Sequence, residues 1–148
     1  MNYLKLISAW IFSISITTLN LQAQSASGAD KQALAKEVNP GLMIRIAEIE
    51  ILPQFLTAYK GILTKESGAS VELEPGVISI FPMYQKSDST LIRIVEIYAD
   101  RAAYEHHLTT PHFKLYKTST ANMVKSLKLI DMESLDPLSM SKIFRKLQ

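Results

Sequence analysis

Residues 91 to 98, Leu-Ile-Arg-Ile-Val-Glu-Ile-Tyr, have the composition of a strand that is apolar on both sides. Successive side chains of an extended chain point to opposite faces. Ile92, Ile94, Glu96 and Tyr98 therefore share one face, and Leu91, Arg93, Val95 and Ile97 the other. A sheet built around such a strand cannot leave either face in water. Helices of the same chain can cover one face, and a second copy of the chain is the simplest cover for the other.

The flanking segments supply the rest of a small α+β unit. Met43–Ile51 mixes β-branched residues with charges at strand spacing. Pro53 suits a first helical turn, and Phe55, Leu56, Tyr59, Ile62, Leu63 and Glu66 follow at spacings of three and four, which predicts a helix that frays after Gly68. Glu74-Pro75-Gly76 breaks the chain before a strand over 77–84, whose Pro82 belongs at an edge or bulge. After the strand over 91–98, Asp100 can cap a short helix to about Leu108, and Thr110-Pro111 is a cap and first-turn proline for another. In that second piece Phe113, Tyr116, Ala121 and Val124 approximate one stripe, and residues 127–132 form the last strand. The order β-α-β-β-α-β is ferredoxin-like, with the second helix broken in two.

The 148 residues, 47% of them hydrophobic, fit one domain with one ordinary core. Residues 1–23 read as a secretory signal: Lys5 precedes the apolar stretch Leu6–Ile16, and Ala23 offers a cleavage point, with Ala29 as a second. An uncleaved anchor is the alternative. Either way the folded part is expected outside the cytoplasm, secreted or periplasmic, with no membrane contact after signal removal. Residues 24–42 read as a linker, 43–133 as the domain, and 134–148 as an amphipathic tail carrying Met140, Ile143, Phe144 and Leu147. The formal charge is +2, and loss of Lys5 with the signal leaves 15 basic against 14 acidic residues. Such balance has no nucleic-acid footprint. The absence of Cys excludes disulfides, thiolate metal sites, cysteine nucleophiles and lipid attachment through cysteine.

The strand Arg45–Ile51, the turn Glu74-Pro75-Gly76-Val77, the spacing of Glu96, Tyr98 and Asp100, and His107-Leu108-Thr109-Thr110-Pro111-His112-Phe113 together resemble the antibiotic biosynthesis monooxygenase (ABM) superfamily, especially its small quinol monooxygenase-like members. The resemblance covers residues 43–133. It implies a ferredoxin-like protomer forming a dimeric α/β barrel, with a pocket between sheet and helices in each protomer. It also implies oxidation of quinols or electron-rich phenols by O2 without flavin, haem or metal. Other members isomerise a small phosphorylated signal or degrade haem. The haem-degrading branch relies on a pocket Trp, and here the only Trp is Trp10, within the signal.

An oxygenase without a cofactor must make its substrate the reductant, so it needs a base and a dry pocket that holds the resulting anion. All three histidines lie within residues 106–112. His107 is expected as base or orienting group, and His112, in the first turn of the next helix, as a second catalytic or pocket residue. Hydrogen bonding to backbone at the helix junction is the plainer role for His112, and a pocket wall without proton transfer the plainer role for His107. His106 is expected to face solvent. Glu96 could act as second base or orient a histidine, or could lie at a dimer interface or face solvent, and Glu48 poses the same question. Tyr98, Phe113, Tyr116 and Tyr59 could stack on an aromatic substrate or simply fill the core. No metal is expected, because His107 and His112 span a proline-started break rather than the i, i+4 spacing that puts two ligands on one helical face. The competing functions are an acid/base isomerase of a small metabolite and a non-catalytic module that binds small apolar ligands.

Overall fold

The computed structural model describes residues 41–136 together with Gly28, Asp30, residues 138–140, Lys142 and Lys146. The expected signal lies outside the described residues, as do most of the linker and the Ile143, Phe144 and Leu147 positions of the tail.

Strand β1 (Met43–Ile51) runs into a single 3₁₀ turn (Pro53–Phe55) and helix α1 (Leu56–Leu73). Strands β2 (Val77–Gln85) and β3 (Asp88–Tyr98) form a hairpin. Helices α2 (Arg101–His107) and α3 (Pro111–Thr120) follow, and β4 (Val124–Met132) closes the unit. The four strands are antiparallel to their neighbours in the order β2-β3-β1-β4, the ferredoxin-like arrangement, with the helices on one face. Pro82 lies on β2, an edge strand, where its missing N–H interrupts no central ladder.

Helix α1 extends five residues past the expected fraying point at Gly68. Its last turns bury Glu66, Ser67 and Ser70 rather than apolar residues, and the Ser70 hydroxyl bonds the Glu66 carbonyl at 2.9 Å. That polar inner face hides the helix from an apolar-stripe reading. Helix α3 ends at Thr120, so Ala121 and Val124 lie beyond it, and Val124 opens β4 beside a register shift at Glu50/Ile51. Among the described residues no helix is long and apolar enough to cross a membrane.

The ladders sort side chains into two sheets of contact. On the helix side, Ala47, Ile49 and Ile51 of β1 and Ile92, Ile94 and Tyr98 of β3 are buried against Tyr59 and Leu63 of α1. On the outer side, Phe81, Val95, Ile46 and Ile130 stand in one cross-strand row, and Ile97, Ile44 and Met132 in the next. Phe81 is 59% and Met132 45% exposed and the other residues of these rows are half-buried, so this apolar face is only partly covered.

Candidate active site

Pro75 sets one side of the site. A residue before proline is pushed out of the helical region, and Glu74 ends α1 with φ −109° and ψ 105°. Its side chain is buried beneath the α2–α3 junction. Gly76 permits the close approach of α2: a Cβ there would stand 2.5 Å from Ala103 Cβ.

The junction itself is held by side-chain caps. Asp100 accepts the Ala103 N–H at 2.7 Å and starts α2. Thr110 starts α3, and its hydroxyl and N–H both donate to the His107 carbonyl, at 2.8 and 3.1 Å. His107, the last residue of α2, is thereby turned inward. Phe113 packs on its ring at 4.6 Å between centroids, and Tyr98 stands at 5.6 Å.

The two inner histidines meet one carboxylate oxygen. His107 Nδ1 lies 2.9 Å and His112 Nε2 2.6 Å from Glu74 Oε1. An ionised carboxylate only accepts, so each ring nitrogen carries a proton and donates it. Burial pushes the Glu74 carboxyl up, but the hydrogen bonds from His107 and His112 outweigh it and hold the carboxyl below its ordinary range. With Nδ1 protonated, neutral His107 keeps its lone pair at Nε2. Nε2 has no hydrogen-bond partner among the described residues and stands 3.7 Å from Glu66 Oε1, beyond hydrogen-bond length. His106 is exposed, as expected, and its Nδ1 is 3.8 Å from Glu74 Oε2, a buried oxygen with no hydrogen-bond partner among the described residues.

His107 and Glu66 both line a cavity of about 550 Å³ between the sheet and helices α1 to α3. This is within the roughly 300–1,000 Å³ usual for small-molecule sites. Its wall is mostly apolar, from Ile49, Leu63, Ile94, Phe113 and the β4 residues Leu127 and Leu129. Two carboxyls sit among these groups. Burial pushes Glu66 up, against a 2.9 Å bond from Ser70 Oγ. Burial also pushes Glu96 up, against a 3.0 Å bond from the Tyr98 hydroxyl.

Of the residues singled out from sequence, Glu96, Tyr98, His107, Phe113 and Tyr116 line this cavity. Glu96 lies on the helix side of β3, and the interface alternative for it does not hold in this structure. Three others do not line it. Glu48 is on the outer sheet face, across from Arg93 in the β1–β3 ladder and 3.3 Å from its Nε. Tyr59 is fully buried in the core, with its hydroxyl 2.7 Å from that of Tyr116. Tyr116 stands between Tyr59 and the cavity, and burial pushes its phenol up to about 12. His112 is withdrawn behind Glu74 and hydrogen-bonds its carboxylate. Glu66 and Glu74 were missed as site residues. A carboxylate within the apolar stripe of α1 was the available signal for Glu66, whereas Glu74 resembled ordinary turn punctuation.

Glu74, His107 and His112 are also the group of metal-type donors among the described residues, with their ligand atoms within 4.8 Å of one another. The expectation that the helix break would keep the two histidines apart is corrected, since the break folds both onto Glu74. Their 2.6 and 2.9 Å separations from the carboxylate are hydrogen-bond distances, whereas two donors on one tetrahedral zinc stand about 3.3 Å apart. An ion would have to displace both protons and spread the ligands.

Residues 42–119, over half of the chain, match the family model described as antibiotic biosynthesis monooxygenase. The chain belongs to the antibiotic biosynthesis monooxygenase family. A crystal structure of a candidate ABM protein from Bacteroides thetaiotaomicron VPI-5482 is 42% identical, with a TM-score of 0.65 over 66% of this chain and 92% of that one. A candidate monooxygenase from Lactobacillus acidophilus NCFM is 26% identical, with a TM-score of 0.62 over 63% of this chain and 44% of that one. A candidate ABM protein from Nitrosomonas europaea shares the fold at 20% identity, with a TM-score of 0.61 over 65% of this chain and 92% of that one. No curated protein gives a significant match. ABM membership and these neighbours support a general monooxygenase-like or small-ligand-binding function.

Proposed function

We propose that this ABM protein is a cofactor-independent monooxygenase that oxidises a quinol or related phenol with O2. The observation that carries the reading is His107, held by Glu74 in the tautomer that leaves Nε2 as a base at the wall of a mostly apolar cavity. A substrate hydroxyl gives its proton to Nε2, and the Glu74 carboxylate at 2.9 Å stabilises the imidazolium that forms. The apolar wall keeps water from the resulting anion, which stays electron-rich enough to reduce O2. Glu66, beside Nε2 and pushed toward its neutral form, is placed to donate to an oxygen of the substrate or of reduced dioxygen. For a quinol the balance is quinol plus O2 to hydroxyquinone plus water, with one oxygen atom entering the ring.

Oxygen uptake together with absorbance of the product tests this over a panel of quinols, naphthols and anthrones. Enzyme-dependent uptake that falls about 100-fold or more in a folded His107→Ala variant is the expected result. Uptake at the spontaneous rate across the panel removes the oxygenase reading. The adjacency of His107 and Glu66 also suits proton shuttling in an isomerase, and turnover without oxygen would select that function instead.

The same proposal includes a second copy of the chain over the outer sheet face, where the Phe81–Val95–Ile46–Ile130 row is apolar. Light scattering that gives a monomer would exclude it. It also includes a working place outside the cytoplasm, which rests on residues 1–23, and fractionation of expressing cells tests it.

A further inference from the structure

Arg45 stands where the pattern of β1 asks for an apolar residue. It shares the helix-facing side with Ala47, Ile49 and Ile51, is 7% exposed, and lines the cavity. A buried cation requires a counter-charge. Its ion-pair partner is Asp131, directly across the β1–β4 ladder, whose Oδ1 lies 2.8 Å from Nε and 2.6 Å from Nη2. Both contacts use one edge of the guanidinium and a single carboxylate oxygen, so the two-oxygen fork that Arg favours is not made. The hydrogen bonds to Asp131 engage Nε and Nη2 and leave Nη1 out, and the neutral Tyr104 side chain is a further partner beside the guanidinium. The Asp131 side chain is 67% exposed, so the counter-charge sits in water while the cation sits at the cavity wall.

The surroundings leave that cation available. The Tyr104 ring lies 4.6 Å from the guanidinium carbon and fixes its plane without neutralising it. Glu96 is the cross-strand neighbour of Arg45, but its Oε2 already accepts from the Tyr98 hydroxyl, and burial pushes its carboxyl toward the neutral form. Lys117 adds a second cation to the lining. Ring contacts from Tyr104 to Tyr98 at 5.3 Å and from Tyr98 to His107 at 5.6 Å make one continuous wall from the cation to the base.

We propose that Arg45 is an anion anchor and that the cavity takes a phenolic compound also bearing a carboxylate, bound by the open edge of the guanidinium while the hydroxyl meets His107 Nε2. The proposal rests on the cavity being the substrate site and adds the substrate's acidic group. Asp131 is then a competing counter-ion that an entering carboxylate partly replaces.

The test is anaerobic calorimetric binding of a matched pair, 6-hydroxy-2-naphthoic acid and 2-naphthol, to the full chain near neutral pH. Wild type is expected to bind the acid at least about tenfold more tightly than the naphthol. Arg45→Met is expected to bring that ratio close to one. A purely structural role for Arg45 would weaken both probes together and preserve the ratio. Asp131→Asn, a change at an exposed side chain, is expected to tighten the acid severalfold, and it carries the test if Arg45→Met does not fold. An acid that binds no better than the naphthol, a ratio that survives Arg45→Met, or no tightening in Asp131→Asn overturns the anchor. Because binding is measured without oxygen, the two readings fail separately. Preference for the acid with no oxygen uptake from any phenol keeps the anchor and removes the oxygenase, and uptake without preference does the reverse.

Discussion

Replacing Glu74 by Gln keeps the shape of the side chain and removes its charge. In the native site Oε1 accepts two ring N–H groups at 2.9 and 2.6 Å. A hydrogen bond to a charged group contributes about 1.5–3 kcal/mol, and a neutral one about 1. Losing that difference twice, with some relief because buried Oε2 has no partner among the described residues, gives an expected destabilisation of about 1–3 kcal/mol. The chemical effect is expected to be larger. A Gln amide can satisfy its NH2 group by donating to His107 Nδ1, which moves the ring proton to Nε2 and removes the base. We therefore expect kcat to fall by roughly 100- to 10,000-fold, with KM within about threefold because Glu74 is not on the cavity wall. Steady-state oxygen uptake gives the kinetics and urea melts give the stability. The variant should also lose less stability in acid. The folded-state pKa of Glu74 is lowered, so its contribution is present above the unfolded value and is lost as pH falls through the folded one. A folded Glu74→Gln protein with kcat within about threefold of wild type would refute the assignment of His107 as a base held by Glu74.

Other outcomes follow from the same structure. Gly76→Ala should destabilise by about 1–3 kcal/mol, read as a lowered thermal midpoint, because the new Cβ meets Ala103 Cβ at 2.5 Å and α2 must shift. Glu66→Gln should gain stability relative to wild type as pH rises. Burial raises the Glu66 pKa above 4.5, so wild-type stability is full below the unfolded value and is lost as pH climbs through the folded one. Thermal melts across that range should diverge, and parallel curves would contradict the burial argument. Dialysis against a strong chelator should leave turnover unchanged, since Glu74, His107 and His112 hold one another at hydrogen-bond distances, and activity restored only by added metal would contradict it.

The fold was largely legible because its signals are local and redundant. Pro53, Pro75, Asp100 and Thr110-Pro111 mark ends or caps, and the strands show their period. Where local signals were polar the boundaries moved, as in the last turns of α1, whose inner face is Glu66, Ser67 and Ser70. The site was legible only in part. His107 stood out as an imidazole in the motif that carries the family resemblance, Phe113 by helical spacing, and Glu96 by sitting among isoleucines. Strand faces resolved Glu96 and Glu48 only once the ladders were known, because a shift of one residue exchanges the faces. Glu74 lies 33 residues from His107 in the chain, and its role arises where Pro75 turns it beneath α2. No local pattern encodes that meeting.

Bonding to the Glu74 carboxylate puts the His107 proton on Nδ1 and leaves Nε2 facing the cavity. Nitrogen-15 NMR of the imidazole rings near neutral pH tests it directly. The expected spectrum has a pyrrole-type Nδ1 and a pyridine-type Nε2 for His107, with the pattern disturbed in Glu74→Gln. A pyrrole-type Nε2 on His107 in the wild-type protein would contradict it.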